Sequence, residues 1–145
     1  MPLNMIKLCV GVDTVEELEQ HVRARLDAAT ASGLPAEQGH VTRVTPKRVG
    51  EILDGGSLYW VIRGHVQVRQ RILRFDAVEG ADGISRCRII LEPLFNPTEW
   101  QPRRAFQGWR YLTPEDAPGD FGSGEDGGTM LPAHLRRELS LLGLI

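Results

Sequence analysis

Cysteine is scarce in this chain: Cys9 and Cys87 are the only two among 145 residues. A disulfide-stapled secreted scaffold is therefore excluded, and both thiols, set among apolar neighbours in predicted strands, are expected to be buried and reduced. Long apolar runs are missing as well. None approaches the roughly 20 residues of a membrane-spanning helix, so no membrane partner is expected. The opening MPLNMIKLCVGV lacks the basic, apolar, small-residue order of a signal peptide, which makes the cytoplasm the expected location. The four histidines, His21, His40, His65 and His134, are scattered without CxxC, HxxxH or HExxH spacing, so no metal site is expected. Gly55-Gly56-Ser57-Leu58-Tyr59 and Gly122-Ser123-Gly124 both fail the G-x-S-x-G pattern of a nucleophile elbow. No glycine loop of the P-loop or dinucleotide type is present. No catalytic residue and no cofactor is assigned.

A net charge of −2 argues against a wholesale nucleic-acid binder, yet charge is unevenly spread. Residues 1–42 sum to −3, residues 43–110 to +5 and residues 111–145 to −4. Screening acts over about 10 Å at ordinary salt, so the basic middle can present a local positive field. The arginines fall on strands: Arg63, Arg69, Arg71 and Arg74 within Ser57–Val78, then Arg86 and Arg88 on the next one. Guanidinium groups repeated along strands make a rigid, always-charged array suited to phosphates or carboxylates. The plainer reading is that they pair with the acidic flanks. Eight of the nine aromatic residues lie between 59 and 111, interleaved with arginine, as on a surface that stacks bases and holds phosphates. Trp60 and Trp109 are the candidate stacking rings, with Gln70, Gln107 and Arg110 able to bond a base edge.

The length suits one domain, residues 1–145, with a core of its own. Met1–Val12 reads as a strand with Ile6, Leu8, Val10 and Val12 on one face. Thr14 to Glu17 fits a capping box, opening a helix over 14–32 whose Val15, Leu18, Val22, Leu26 and Ala29 form a stripe. His40–Val44 is a short strand. Thr45-Pro46 starts a helix over 46–54 that buries Val49, Ile52 and Leu53 and ends at Gly55-Gly56. Strands over 65–78 and 84–92 flank a loop at 79–83, with Val78 set opposite Ile84, Asp76 opposite Arg86 and Arg74 opposite Arg88. That register sorts Leu73, Phe75, Cys87, Ile89 and Leu91 to the buried face. Val66 and Val68 are out of phase with this face, which predicts a bulge near Arg69–Arg71. Pro93 and Pro97 break the pattern before a last strand, Phe106–Leu112. Residues 114–129 read as a mobile loop and 131–142 as a C-terminal helix.

IKLCVGVD, VTPKR, DGGSLYWVIRG, VRQRIL and RRAFQGWRYL together resemble a family of short alphaproteobacterial proteins that carries only a domain-of-unknown-function label. Ile52-Leu53-Asp54-Gly55-Gly56 running into Val61-Ile62-Arg63 is similar to the helix–glycine–strand entry of ASCH domains, small barrels related to the PUA RNA-binding modules. ASCH hydrolases place lysine and threonine just after that glycine. Gly56, Ser57 and Leu58 stand here instead, so the resemblance does not carry their amidohydrolase chemistry.

These readings converge on an α+β fold: a small, strongly bent, mostly antiparallel sheet or partly closed PUA/ASCH-like barrel with flanking helices. The expected function is a binding module for RNA or a nucleotide-like anion, through Arg63, Arg69, Arg71, Arg74, Arg86 and Arg88 with Trp60 and Trp109. One alternative is a hydrolase of a small nucleoside-type substrate, with Lys47, Glu51, Ser57 or His65 as acid–base groups. Another is a self-associating protein that dimerises through sheet edges and the leucines of its last helix.

Overall fold

In the computed structural model, which describes residues 2–121, seven strands and two helices form an α+β fold around a mixed, curled sheet that does not close. Strand β1 (Asn4–Leu8) leads into α1 (Val15–Ala31), β2 (Gln38–Thr42) and α2 (Val49–Leu53). Then follow β3 (Ser57–Ile62), β4 (His65–Glu79), β5 (Ser85–Leu91), β6 (Asn96–Pro102) and β7 (Trp109–Leu112). The strand order is β2-β5-β4-β3-β1-β7, with β6 also on β4. Only β1 and β3 run parallel; every other pairing is antiparallel. The helix expected over 131–142, and the expected loop beyond 121, lie outside the described residues. Residues 114–121 are tied down: Phe121 N–H donates to the Pro97 carbonyl at 2.8 Å and Glu99 N–H to that of Gly119 at 2.8 Å.

Helix α1 forms where the capping box places it. Thr14 Oγ1 accepts from the Glu17 amide at 3.1 Å, and Glu17 Oε2 accepts from the Asp13 amide at 3.4 Å. Val15, Leu18 and Val22 are buried against the sheet. The second helix corrects the expectation. It spans Val49–Leu53, three residues shorter at its start than 46–54 and one at its end, with Arg48 at the cap and no side-chain cap bond. Thr45 instead shares a hydrogen bond with Cys87, and only Ile52 of the expected trio is fully buried.

β1 also differs from its expected single apolar face. It ends at Leu8, and Met5 enters the larger core while Ile6 and Leu8 pack with Tyr59, Val61, Val66 and Leu112 on the opposite side. Both faces of the central sheet are covered, so strict alternation of polar and apolar residues is lost there. Val10 lies beyond the strand and is exposed. β6 was not expected, because Pro97 and Pro102 bracket it. Among the described strands it pairs with β4 alone, and its other side meets residues 119–121 through the Thr98–Asp120 bridge. Its prolines, at the second and last positions, sit at the ends of the strand, where they do least harm to a ladder.

The long strand β4 produces the curl. Its first half pairs with β3 on one side and β6 on the other; beyond Arg71 its ladder passes to β5. The expected bulge near Arg69–Arg71 resolves into two irregularities that bracket those residues. Gln67 is the extra residue opposite β3, so Val66 joins one core cluster and Val68 the other, while against β6 the surplus lies in β6, whose residues 98–100 stand opposite Gln67. Leu73 is the extra residue opposite β5, which leaves its side chain exposed. Past Leu73 the register differs from the expected one by two residues: Val78 faces Arg86, Asp76 faces Arg88 and Arg74 faces Ile90. A shift of two preserves side-chain parity, so Cys87, Ile89 and Leu91 are still buried.

Candidate functional site

Two rows of side chains cross β3, β1 and β7 on the inner face of the sheet. Trp60, Lys7 and Trp109 are direct neighbours in one row, and Leu58, Met5 and Tyr111 in the other. Lys7 is thus a cation set between two indole-bearing positions within an apolar strand, and burial lowers its pKa below the ordinary lysine value. The chain that leaves β2 folds over the same place. Trp109 Nε1 donates to the Val44 carbonyl at 2.7 Å, and the Tyr111 hydroxyl accepts from the amides of Lys47 and Arg48 at 3.0 and 3.3 Å. The Arg48 guanidinium stands 5.6 Å from the centre of the Tyr111 ring, and Trp109 meets Tyr111 edge to face at 4.9 Å.

These contacts bring the two ends of the sheet, β2 and β7, to the walls of one cleft of about 900 Å³. Lys7, Arg43 and Arg110 contribute positive charge, Trp109 and Tyr111 contribute rings, and Gln107 contributes an amide. Among the described residues no carboxylate lines it. Arg110 also lies over the Phe106 ring at 5.0 Å, which holds its guanidinium at the cleft without neutralising it.

The six arginines singled out from the sequence are dispersed rather than gathered. Arg63 occupies the β3–β4 turn and reaches Asp13 at 3.2 Å. Arg69 holds Asp120 through two bonds of 2.7 and 2.8 Å and donates to Ser57 Oγ at 3.0 Å. Arg74 bonds Glu37 at 2.8 Å and Asp76 at 3.1 Å. Arg86 bonds Asp82 at 2.8 Å, holding that carboxyl down to about 2, while Arg88 packs over Gly39, 3.9 Å from Glu37. Arg71 is exposed and has no ion-pair partner among the described residues. Asp13, Glu37 and Asp120 come from the acidic flanks, so much of the basic middle serves to hold the chain's ends to its sheet.

Of the two tryptophans, Trp109 lines the cleft, whereas Trp60 is core and donates from Nε1 to Gln70 Oε1 at 2.9 Å. Gln70 is fully buried and wholly engaged: it exchanges amide bonds with Gln38 at 2.6 and 3.0 Å and donates to the Glu92 carbonyl at 3.1 Å. A side chain so committed cannot read a base, which corrects its expected role. The candidate acid–base groups Lys47, Glu51, Ser57 and His65 are not linked to one another by any hydrogen bond. Ser57 is buried beneath Arg69, Glu51 is paired with Arg48 at 2.6 Å, and His65 lies against Trp100 at 5.5 Å. Among the described residues no group of three or more histidine, cysteine, aspartate or glutamate side chains could hold a metal, and no helix is long and apolar enough to cross a membrane. Lys7 and Arg43 escaped the sequence reading. Lys7 had a signal, since it interrupts Met5–Leu8 at an inward position; Arg43 had none.

The class these features define is an α+β protein with a curled mixed sheet and a basic, aromatic cleft at its two ends. The chain belongs to the family described as protein of unknown function DUF1489, whose model matches residues 5–145. No curated protein and no solved structure gives a significant match to it.

Proposed function

We propose that this protein is a cytoplasmic binding module for RNA or a nucleotide-like anion, and that the β2/β7 cleft is where the ligand sits. The observation that carries this reading is the lining: Lys7, Arg43 and Arg110 beside Trp109 and Tyr111, with no carboxylate among the described residues that line the cleft. Cations at the mouth attract a phosphate-bearing ligand, and ring faces and edges give a base something to pack on. The curled sheet with helices outside is compatible with a PUA- or ASCH-like reading of the fold, and those modules bind nucleic acid or nucleosides. Arg71, exposed and without an ion-pair partner among the described residues, is the member of the arginine set best able to add a phosphate contact.

The test is binding of a short single-stranded RNA and of a nucleoside monophosphate across a salt series. Where arginine–phosphate contacts dominate, the log–log salt slope for RNA is about 0.7 per phosphate released. Arg43→Ala and Arg110→Ala should each flatten that slope. Trp109→Ala should weaken binding by about 1–3 kcal/mol with the slope retained. Absence of binding at low salt, or a slope indifferent to both arginines, would overturn the proposal.

A further inference from the structure

On the other side of Lys7 from the cleft lies a smaller pocket of about 170 Å³, between α1, the end of β1 and the start of β2. Among the described residues it shares Lys7 alone with the cleft. Its polar lining includes Lys7, Cys9, His21, Arg25, Gln38 and His40, and again no carboxylate among the described residues. We infer that this pocket is a separate site for a small oxyanion, a phosphate group above all, held by Lys7 and Arg25 with His40 Nε2 as a hydrogen-bond donor.

Three independent observations carry the inference. His40 Nε2 is buried with no hydrogen-bond partner, a costly state for a polar atom unless something in the pocket meets it. Its ring is held edge-on to Trp60 at 5.3 Å, and both rings line the pocket. Lys7 and Arg25 both line this pocket together with His40 and Cys9. Neither has a carboxylate partner among the described residues, and Glu37, just before β2, is taken by Arg74 and Arg88. Two like charges beside a desolvated imidazole repel, and an anion placed between them removes that repulsion. Size agrees. A phosphate group fills roughly the space of two or three waters of about 30 Å³ each, leaving room for a bridging water. Burial, reinforced by the positive charges of Lys7 and Arg25, lowers the His40 pKa to about 4, so the ring is neutral near pH 7 and able to donate from Nε2. The Cys9 thiol is pushed up to about 11 by burial, which makes it a bystander and a convenient reporter.

The first experiment needs no variant: alkylation of Cys9 by iodoacetamide at alkaline pH, with inorganic phosphate or with chloride at matched ionic strength. Phosphate should slow Cys9 alkylation saturably and shift the His40 imidazole resonances, while chloride does neither. Arg25 is exposed on α1, so Arg25→Gln should melt like the parent in phosphate-free buffer and bind inorganic phosphate at least tenfold more weakly. A nucleoside monophosphate is the second probe. Tighter binding than inorganic phosphate, lost in Trp109→Ala, would identify the occupant as the phosphate of a nucleotide reaching in from the cleft; equal binding would identify a free oxyanion. Failure of the RNA measurements leaves this inference standing if phosphate still protects Cys9. Equal alkylation in phosphate and chloride, or unchanged phosphate affinity in Arg25→Gln, would overturn it.

Discussion

Single side chains decide several features here, and Gln70 is the clearest case. It joins β2, β3, β4 and the chain leaving β5 through one buried amide. Gln70→Ala strands the Trp60 indole N–H and the Gln38 amide in the core, and should cost about 2–4 kcal/mol in a denaturant titration. Arg63 illustrates the opposite. It holds φ +50 beside Gly64 at φ +80, a two-residue turn that favours Asn-Gly. Its ion pair with Asp13 is exposed and worth little. Arg63→Asn should therefore raise stability by about 0.5 kcal/mol, measurable as a higher denaturation midpoint. His40 supplies a pH dependence with a definite sign. The unfolded chain takes up its proton near the ordinary value of 6.5, the folded one only near 4. Stability contributed by the neutral ring is complete above about 6.5 and is lost as pH falls toward 4. An imidazole titration followed by NMR should show His40 still neutral at pH 5.5.

At the scale of elements, short-range chemistry marked some boundaries and misplaced others. Thr14→Ala should cost about 1 kcal/mol, because its hydroxyl caps α1, whereas Thr45→Ala should leave α2 intact, because Thr45 caps nothing. Comparing the two melting temperatures checks the assignment. The glycine pair after α2 was read as a helix stop, and Gly56 carries a further demand. A Cβ there would collide with the carbonyls of Leu3 and Ile52, so Gly56→Ala should destabilise by about 3 kcal/mol. The helix stripe and the capping box were legible because they depend on neighbours three and four residues away. The register of β4 with β5 was legible only in parity: alternation distinguishes inside from outside, while a shift of two is invisible to it. The bulges at Gln67 and Leu73 depend on which strand pairs where, and β6 was hidden by the prolines at its two ends.

For the molecule as a whole, the sequence announced a basic, aromatic middle, but where its charge would be spent depended on the fold. Arg69, Arg74 and Arg88 met carboxylates from the flanks, and the cleft was assembled from Lys7, Arg43 and Arg110, which no motif connects. Trp109 was recoverable from composition; its neighbours became neighbours only when β7 joined β1. That joining also sets an order of assembly. Met5 is bordered by Leu58 on one side and Tyr111 on the other, so β1 leaves the ribosome long before either flank exists. The β3–β4–β5 meander can form as it emerges, while β1 has to wait, its Met5 and Ile6 uncovered, until Tyr111 has been made. A nascent chain stalled short of β7 would thus display an apolar strand edge, and chaperone capture should end when synthesis passes it.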